Sequence, residues 1–469
     1  MTPQPGRPQR HEQRPGPTAA AAAARPARAV RREILRLAVP AFLALVAEPL
    51  FLLADSAIVG HLGTVPLAGL GVASSVLLTA AGIFVFLVFG TTSVVARQLG
   101  AGSTRGAIGA GVDGLWLSVI LGTVTAVVVG LTAPSLCAVF GASTAAQEQA
   151  TTYLRISAAG IPGMLAVLAL TGVLRGLQDT RTPLVAAVTG FGANIVLNLV
   201  LVYGLGWGIA GSAWGTVTAQ TGMALGLVAA VVRKAVTAQA GLRLHAAGVL
   251  RAAAGGVPLL VRTLALRGVL LVTTGVAARY GDETLAGHQI ALTVWSFLAF
   301  SLDALAIAAQ AITGRALGAG DPGSARAAAR TMARWGIGGG IVTGLVVLAL
   351  SRLISRGFTT DERVVEAATG AFVVIALVQW LAGYVFVIDG VLMGAGDNIW
   401  LAVAMVVAVL VWIPSVLLVA RGGQPLPGGA GHELAGLWVW FGAGFMALRG
   451  AGLWWRFRSD AWLVTGATR

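Results

Sequence analysis

One cysteine, Cys137, stands in 469 residues, and that near-absence removes a disulfide framework and thiolate metal clusters from consideration. Charge is scarce as well: 11% of the residues are Asp, Glu, Lys or Arg, against roughly 25% in a soluble domain. Lys234 is the one lysine among 32 basic residues, and the five histidines are scattered without metal-ligand spacing. What fills the chain is apolar, with 57% hydrophobic residues, 64 glycines and a mean hydropathy of +0.84. So few polar side chains cannot cover so much apolar surface, which excludes an ordinary soluble fold. The composition predicts an all-α polytopic membrane protein.

Residues 1–33 are rich in Pro, Arg, Gln and Ala and read as a disordered cytoplasmic N-terminal arm. The first apolar run carries Glu48 and Asp55 and is too long for a cleavable signal peptide, so it is expected to stay as the first span. Crossing about 30 Å of hydrocarbon takes roughly 20 helical residues. Twelve stretches qualify, at 35–60, 66–97, 107–132, 146–173, 183–203, 208–232, 255–280, 284–313, 328–350, 365–392, 398–420 and 434–455. Pro40, Pro49, Gly90, Pro162 and Pro258 inside them predict bent or tilted helices.

A formal charge of +14 raises the question of nucleic-acid binding, and the placement of the arginines answers it. Twelve spans put Arg97, Arg105, Arg175, Arg181, Arg315, Arg326, Arg330, Arg449, Arg456 and most other basic residues on the face that carries both termini. Arg279, Arg352, Arg356, Arg363 and Arg421 fall opposite, and Arg155, Arg262 and Arg267 fall within spans. By the positive-inside rule both termini are cytoplasmic, and the charge describes topology, with no nucleic-acid partner.

The chain also repeats itself at an offset of about 218 residues. Leu67-Ala68-Gly69 falls on Leu285-Ala286-Gly287, Arg97-Gln98-Leu99-Gly100-Ala101-Gly102 on Arg315-Ala316-Leu317-Gly318-Ala319-Gly320, Gly172-Val173-Leu174 on Gly390-Val391-Leu392, and Asp179 on Asp397. Each half holds six helices, an even number, so the halves share orientation. The expected domains are an N-terminal lobe at 34–232, a cytoplasmic loop at 233–254, a C-terminal lobe at 255–458 and a cytoplasmic tail at 459–469. Two like-oriented six-helix bundles around a central cavity are the architecture of secondary transporters.

Ionisable groups in hydrocarbon cost about 2.5–3.5 kcal/mol each, so every one needs a reason. Glu48, Asp55, Asp113, Asp303 and Asp389 are the candidate buried acids. Asp55 lies deep in the first helix, where a desolvated carboxyl suits proton or cation coupling. Asn194 and Asn198, four residues apart on one helical face, can orient that carboxyl, offer oxygens to a cation, or simply join helices. Asp303 and Asp389 occupy positions that hold Val85 and Thr171 in the first half. That asymmetry suggests either a second proton or substrate site in the C-terminal bundle, with Gln379 nearby, or pairing with Arg262 and Arg267. No Walker loop, zincin or nucleophile-elbow motif is present, so neither ATP-driven transport nor an enzyme is expected.

Ala47-Glu48-Pro49-Leu50, the run Ala54-Asp55-Ser56-Ala57-Ile58-Val59-Gly60-His61-Leu62-Gly63, the Leu-Ala-Gly and Leu-Gly-Ala-Gly signatures, Gly172 to Thr180, and Asp389-Gly390-Val391-Leu392-Met393-Gly394 together resemble the MATE (multidrug and toxic compound extrusion) family, in its DinF-like branch. The resemblance spans nearly the whole chain beyond the arm. It implies a monomeric plasma-membrane antiporter in the lipid bilayer that exports small organic, often cationic or amphipathic, compounds against inward H⁺ or Na⁺, without another cofactor or a bound metal. In the family the position of Asp55 is the coupling carboxylate, that of Pro40 a point where the first helix bends, and those of Asn194 and Thr216 belong to the surrounding polar cluster. Sodium-linked members carry a second carboxylate where this chain has Asn198, which favours H⁺. Asp389 matches an acidic position used in plant relatives, and Asp303 resembles a common acid of the branch. The competing expectations are Na⁺ coupling, a flippase for lipid-linked precursors, which would need a more cationic cavity, and a membrane-embedded transferase, whose DDxxD or HxxxxD motifs are missing.

Overall fold

The structure is a computed structural model and describes residues 27–421 and 430–468. Fifteen α-helices and two short π-helical segments build it among the described residues. In the first half these are α1 Ala27–Gly60, α2 Thr64–Phe84, α3 Phe86–Gly100, α4 Thr104–Ala138, α5 Thr144–Ala158, α6 Ile161–Gly176, α7 Arg181–Asn198 and α8 Gly208–Thr237. The second half holds α9 Ala246–Arg279, α10 Asp282–Gly318, α11 Pro322–Phe358, α12 Glu362–Gly394, α13 Asn398–Arg421, α14 Ala430–Val439 and α15 Ala447–Arg458. The π segments Leu199–Gly204 and Trp440–Met446 continue α7 and join α14 to α15.

Eleven helical stretches are long and apolar enough to cross a membrane, and the pair α5 and α6, bent by 53°, makes the twelfth. The protein is a multi-pass membrane protein. Pro162 sits in the first turn of α6, where its missing N–H costs nothing, so the chain restarts as a helix just after the bend. Several expected boundaries move. The last residues of the expected arm, 27–33, are helical, because Ala and Arg extend an existing helix at little cost; residues 1–26 lie outside the described residues. The inter-lobe loop shortens to 238–245, since α8 runs through the basic pair Arg233 and Lys234 to Thr237 and α9 starts at Ala246, ahead of Arg251. The tail is packed rather than free: Trp462 is fully buried against Phe457, and the Gly466 N–H donates to the Leu317 carbonyl at 3.0 Å.

The repeat survives in backbone detail at the same offset. Ser103 and Asp321 each cap the helix that follows, accepting from Gly106 N at 3.0 Å and Ser324 N at 2.8 Å. Ser143 and Asp361 do the same for α5 and α12. Gly63 and Gly281 both take positive φ, 122° and 108°, just before α2 and α10. Asp179 and Asp397 each bind a cation from the end of their own lobe, Lys234 at 3.3 Å and Arg456 at 2.5 Å. Burial alone would raise the Asp179 pKa, but two bonds from Thr182 and the Lys234 charge hold its carboxyl below the ordinary value.

The lobes meet where α1 and α3 pack on α9, α10 and α12. The contact is reciprocal: a Cβ on Gly100 would overlap the Arg315 carbonyl, and one on Gly318 would overlap the Arg97 carbonyl. Such exchange of equivalent partners is what a twofold axis along the membrane normal imposes. Arg97, expected on the aqueous face, is 2% exposed at this seam and donates to the Ala395 carbonyl at 3.0 Å and the Val464 carbonyl at 2.9 Å. Gln178 Nε2 reaches the Ala311 carbonyl at 3.0 Å, Gln310 Nε2 the Phe89 carbonyl at 2.6 Å, and Arg315 stands 3.6 Å from Glu33. All these bonds lie toward the face that carries the termini, so the lobes are joined there. Replacing Gly318 by Leu should therefore wedge that end apart; in a Cys137→Ser background, spin labels at Ser103 and Asp321 should report a distance longer by several ångströms, and an unchanged distance would refute the seam.

Candidate functional site

Proline explains the local geometry of α1. Pro40 lacks an N–H, so the Arg36 carbonyl four residues back has no helical donor. The Thr180 hydroxyl, from the turn between α6 and α7, approaches that carbonyl at 3.4 Å. Asp55 follows on the same helix, five residues from its end, about 7 Å by helical rise. Asp55 therefore lies toward the end of α1 remote from the chain's start. It is nevertheless only 4% exposed, because α5, α7 and α8 close over it.

Two i,i+4 pairs interlock there. Asn198 Nδ2 and Ser212 Oγ each donate to Asp55 Oδ1 at 2.7 Å, and Asn194 Nδ2 donates to Thr216 Oγ1 at 3.2 Å. Tyr153 from α5 is buried against the same group and interacts with Asp55, Ser212 and Thr216. The approach depends on small residues: a Cβ on Gly215 would strike Asn198 Oδ1, and one on Gly211 would meet the Leu201 backbone. The π turn Leu199–Gly204 begins directly after Asn198, and Tyr203 from it donates to the Ile58 carbonyl at 2.5 Å, tying the end of α1 to α7. Asp55, Asn194, Asn198 and Thr216 thus come together as expected, joined by Ser212 and Tyr153. Helical spacing offered a signal for Ser212, four residues before Thr216; Tyr153 had none.

At the 218-residue offset the second lobe keeps none of the acid, amide and phenol groups of this cluster. Thr273 stands for Asp55, Trp412 for Asn194, Val416 for Asn198, Leu434 for Thr216 and Ala371 for Tyr153, and all five are buried. The second lobe's acids lie elsewhere. Asp389 is 3% exposed and is bonded by Arg262 of α9 and by Arg449 Nη2 at 2.8 Å, so of the two alternatives for this acid, pairing with Arg262 is the one observed. Asp303 belongs electrostatically to the same group, facing Arg262, Arg449 and Arg175. Arg449, expected on the aqueous face, is 4% exposed and packed within the protein, where a buried Asp389 requires a counter-charge. Gln379 does not join them. It stands ten residues, about 15 Å, along α12 from Asp389, packed against Gly340 and Gly344 of α11. Arg267 is exposed beside Gly82 of the first lobe, and Asp113 is half-buried beside Gly248, His245 and Arg251 near the inter-lobe loop.

A family model described as MatE matches residues 40–200 and again 258–418, two copies separated by 218 residues. The chain belongs to the MATE transporter family. "Protein DETOXIFICATION 44, chloroplastic" of Arabidopsis thaliana is 31% identical over 90% of this chain and 81% of its own length. "DNA damage-inducible protein F" of Escherichia coli is 28% identical over 92% of this chain and 94% of that protein, in keeping with the DinF-like resemblance. A crystal structure titled "MATE in the bent conformation" superposes with a TM-score of 0.83 at 23% identity, covering 92% of this chain and 96% of its own, and supports the all-helical two-lobe fold. Members of the MATE family are multidrug and toxic-compound efflux transporters, not enzymes, and handle small organic substrates.

The two acid sites predict different responses to mutation. Arg449→Met strips a partner from a buried carboxylate, and such losses cost about 3–5 kcal/mol. Thermal unfolding in detergent should show a clear drop in midpoint, and the added change Asp389→Leu should recover much of it. An unaltered midpoint for Arg449→Met would contradict the pairing.

Proposed function

We infer that this MATE transporter is a proton-coupled antiporter that exports drug-like organic compounds or metabolites, often cationic or amphipathic, in exchange for inward H⁺. The observation that carries the reading is the isolation of Asp55: one carboxylate held by amide and hydroxyl groups, with no second acid and no arginine bonded to it among the described residues. A carboxylate clamped by a guanidinium, like Asp389, resists neutralisation because the partner's charge would be left unpaired. Asp55 has neutral partners. Ser212 and Tyr153 can each turn from donor to acceptor when a proton arrives, so both charge states of Asp55 can be satisfied.

The arginine distribution supports cytoplasmic termini in the plasma membrane, which puts Asp55 toward the outer side and the glycine seam toward the inner one. In that orientation the described conformation is sealed inward. A proton entering from outside would neutralise Asp55, lessen its hold on Asn198 and Ser212, and let α1 repack about Pro40, whose carbonyl partner Arg36 already leans on Thr180. Substrate then leaves outward. Export requires that proton and substrate favour different states, since a ligand with equal affinity for both shifts nothing. The lobes form one chain, and a monomer suffices for this cycle.

Na⁺ coupling is the second reading. It is favoured by Asn194 Oδ1 and Asn198 Oδ1, both buried without a hydrogen-bond donor beside Asp55. Proteoliposomes loaded with ethidium separate the two. Under the proton reading an imposed ΔpH alone drives ethidium movement and a Na⁺ gradient alone does not; movement driven by Na⁺ alone overturns it.

A further inference from the structure

Away from the coupling site, three arginines from two helices converge on one cavity at the face that carries the termini. The cavity has a volume of about 410 Å³ and is lined by Arg326 and Arg330 of α11, Tyr384 of α12, and Trp454, Phe457 and Arg458 of α15. Arg326 is bonded by Asp460, itself mostly exposed. Arg458 lies over the Trp454 ring at 4.6 Å, and Arg330 is exposed with no carboxylate partner among the described residues. Three guanidinium charges thus face one carboxylate. Beneath them the Tyr384 hydroxyl is buried with no hydrogen-bond partner.

Arginines on this face are expected from topology alone. Topology does not require that they converge from separate helices on a cavity, nor that a hydroxyl be left unsatisfied at its floor. A tetrahedral, doubly hydrogen-bonding anion satisfies both features, because guanidinium forks match phosphate oxygens and the phenol donates a further bond. The surroundings distinguish a lipid from a soluble ion. Arg330 is eight residues into α11, about 12 Å, near headgroup depth. Farther along the same helix Ile341, Val342 and Leu345 are exposed, an apolar surface for acyl chains, and Trp454 and Trp455 stand exposed at the interface. Basic pockets between spans at this level suit phospholipid headgroups.

We propose that this cavity binds the phosphate headgroup of an anionic phospholipid from the leaflet on the terminus-bearing face, with the acyl chains lying along α11. The test uses the full chain purified in mild detergent, with thermal unfolding and native mass spectrometry during titration with phosphatidylglycerol, phosphatidylcholine or inorganic phosphate. Phosphatidylglycerol should raise the unfolding midpoint and remain bound, phosphatidylcholine should do so at least tenfold more weakly, and millimolar phosphate should not displace the lipid. Arg330→Gln combined with Arg458→Gln should weaken phosphatidylglycerol binding tenfold or more. Tyr384→Phe, which removes only the hydroxyl, should weaken it several-fold, and Arg352→Gln at the other end of α11 should leave it unchanged. Equal binding of the two lipids, full binding by the double variant, or displacement by phosphate at matched concentration would each overturn the proposal.

Discussion

A carboxylate in an apolar bundle must be given hydrogen bonds or a counter-charge, and the arrangement of each lobe follows from which of these it supplies. Around Asp55 the answer is hydrogen bonds: Asn198 and Ser212 donate to one oxygen, Tyr153 closes the third side, and Asn194 and Thr216 brace the pair that does the donating. Bringing α7 and α8 close enough for this requires Gly211 and Gly215, and it leads directly into the π turn whose Tyr203 fastens α1. Around Asp389 the answer is charge, from Arg262 and Arg449. Neutralising a hydrogen-bonded carboxylate strands no cation, whereas neutralising an ion-paired one does. The duplicated fold thus carries one hydrogen-bonded acid centre and one ion-paired acid centre.

The same division explains the seam. Two halves derived from one pattern meet through reciprocal glycine and carbonyl contacts at Gly100, Arg315, Gly318 and Arg97. Small residues allow backbones to approach within van der Waals range, which supplies association energy where lipid competes with any apolar surface. Such an interface is good at being either closed or open, because a partial opening loses the packing without gaining another contact. The C-terminal tail adds to the closed form through Val464 on Arg97 and Gly466 on Leu317, touching both lobes.

Much of this was legible in the residue order. Twelve spans, the 218-residue repeat and the cluster of Asp55, Asn194, Asn198 and Thr216 follow from hydropathy, spacing and resemblance. What was hidden depends on three-dimensional closeness between distant segments. Tyr153 is one residue of the expected span 146–173, and its role arises only because α5 folds against α8. Arg449 reads as one more positive charge near a helix end until Asp389 is seen beside it. Gln379, grouped with Asp303 and Asp389 as a candidate site, shares α12 with Asp389, yet ten residues of rise separate them. The end of the first span at residue 60 was legible, whereas the helices that close over Asp55 were not. Helical periodicity reports which face a residue occupies and says nothing about what stands opposite.

The most direct measurement compares wild type with Asp55→Asn, reconstituted at equal density in ethidium-loaded proteoliposomes under an imposed ΔpH. Asn preserves the hydrogen-bonding shape of the side chain and removes its ability to change charge. The account predicts that Asp55→Asn loses ΔpH-driven ethidium transport while keeping the wild-type unfolding midpoint within a few degrees. Undiminished ΔpH-driven transport by that variant would contradict it.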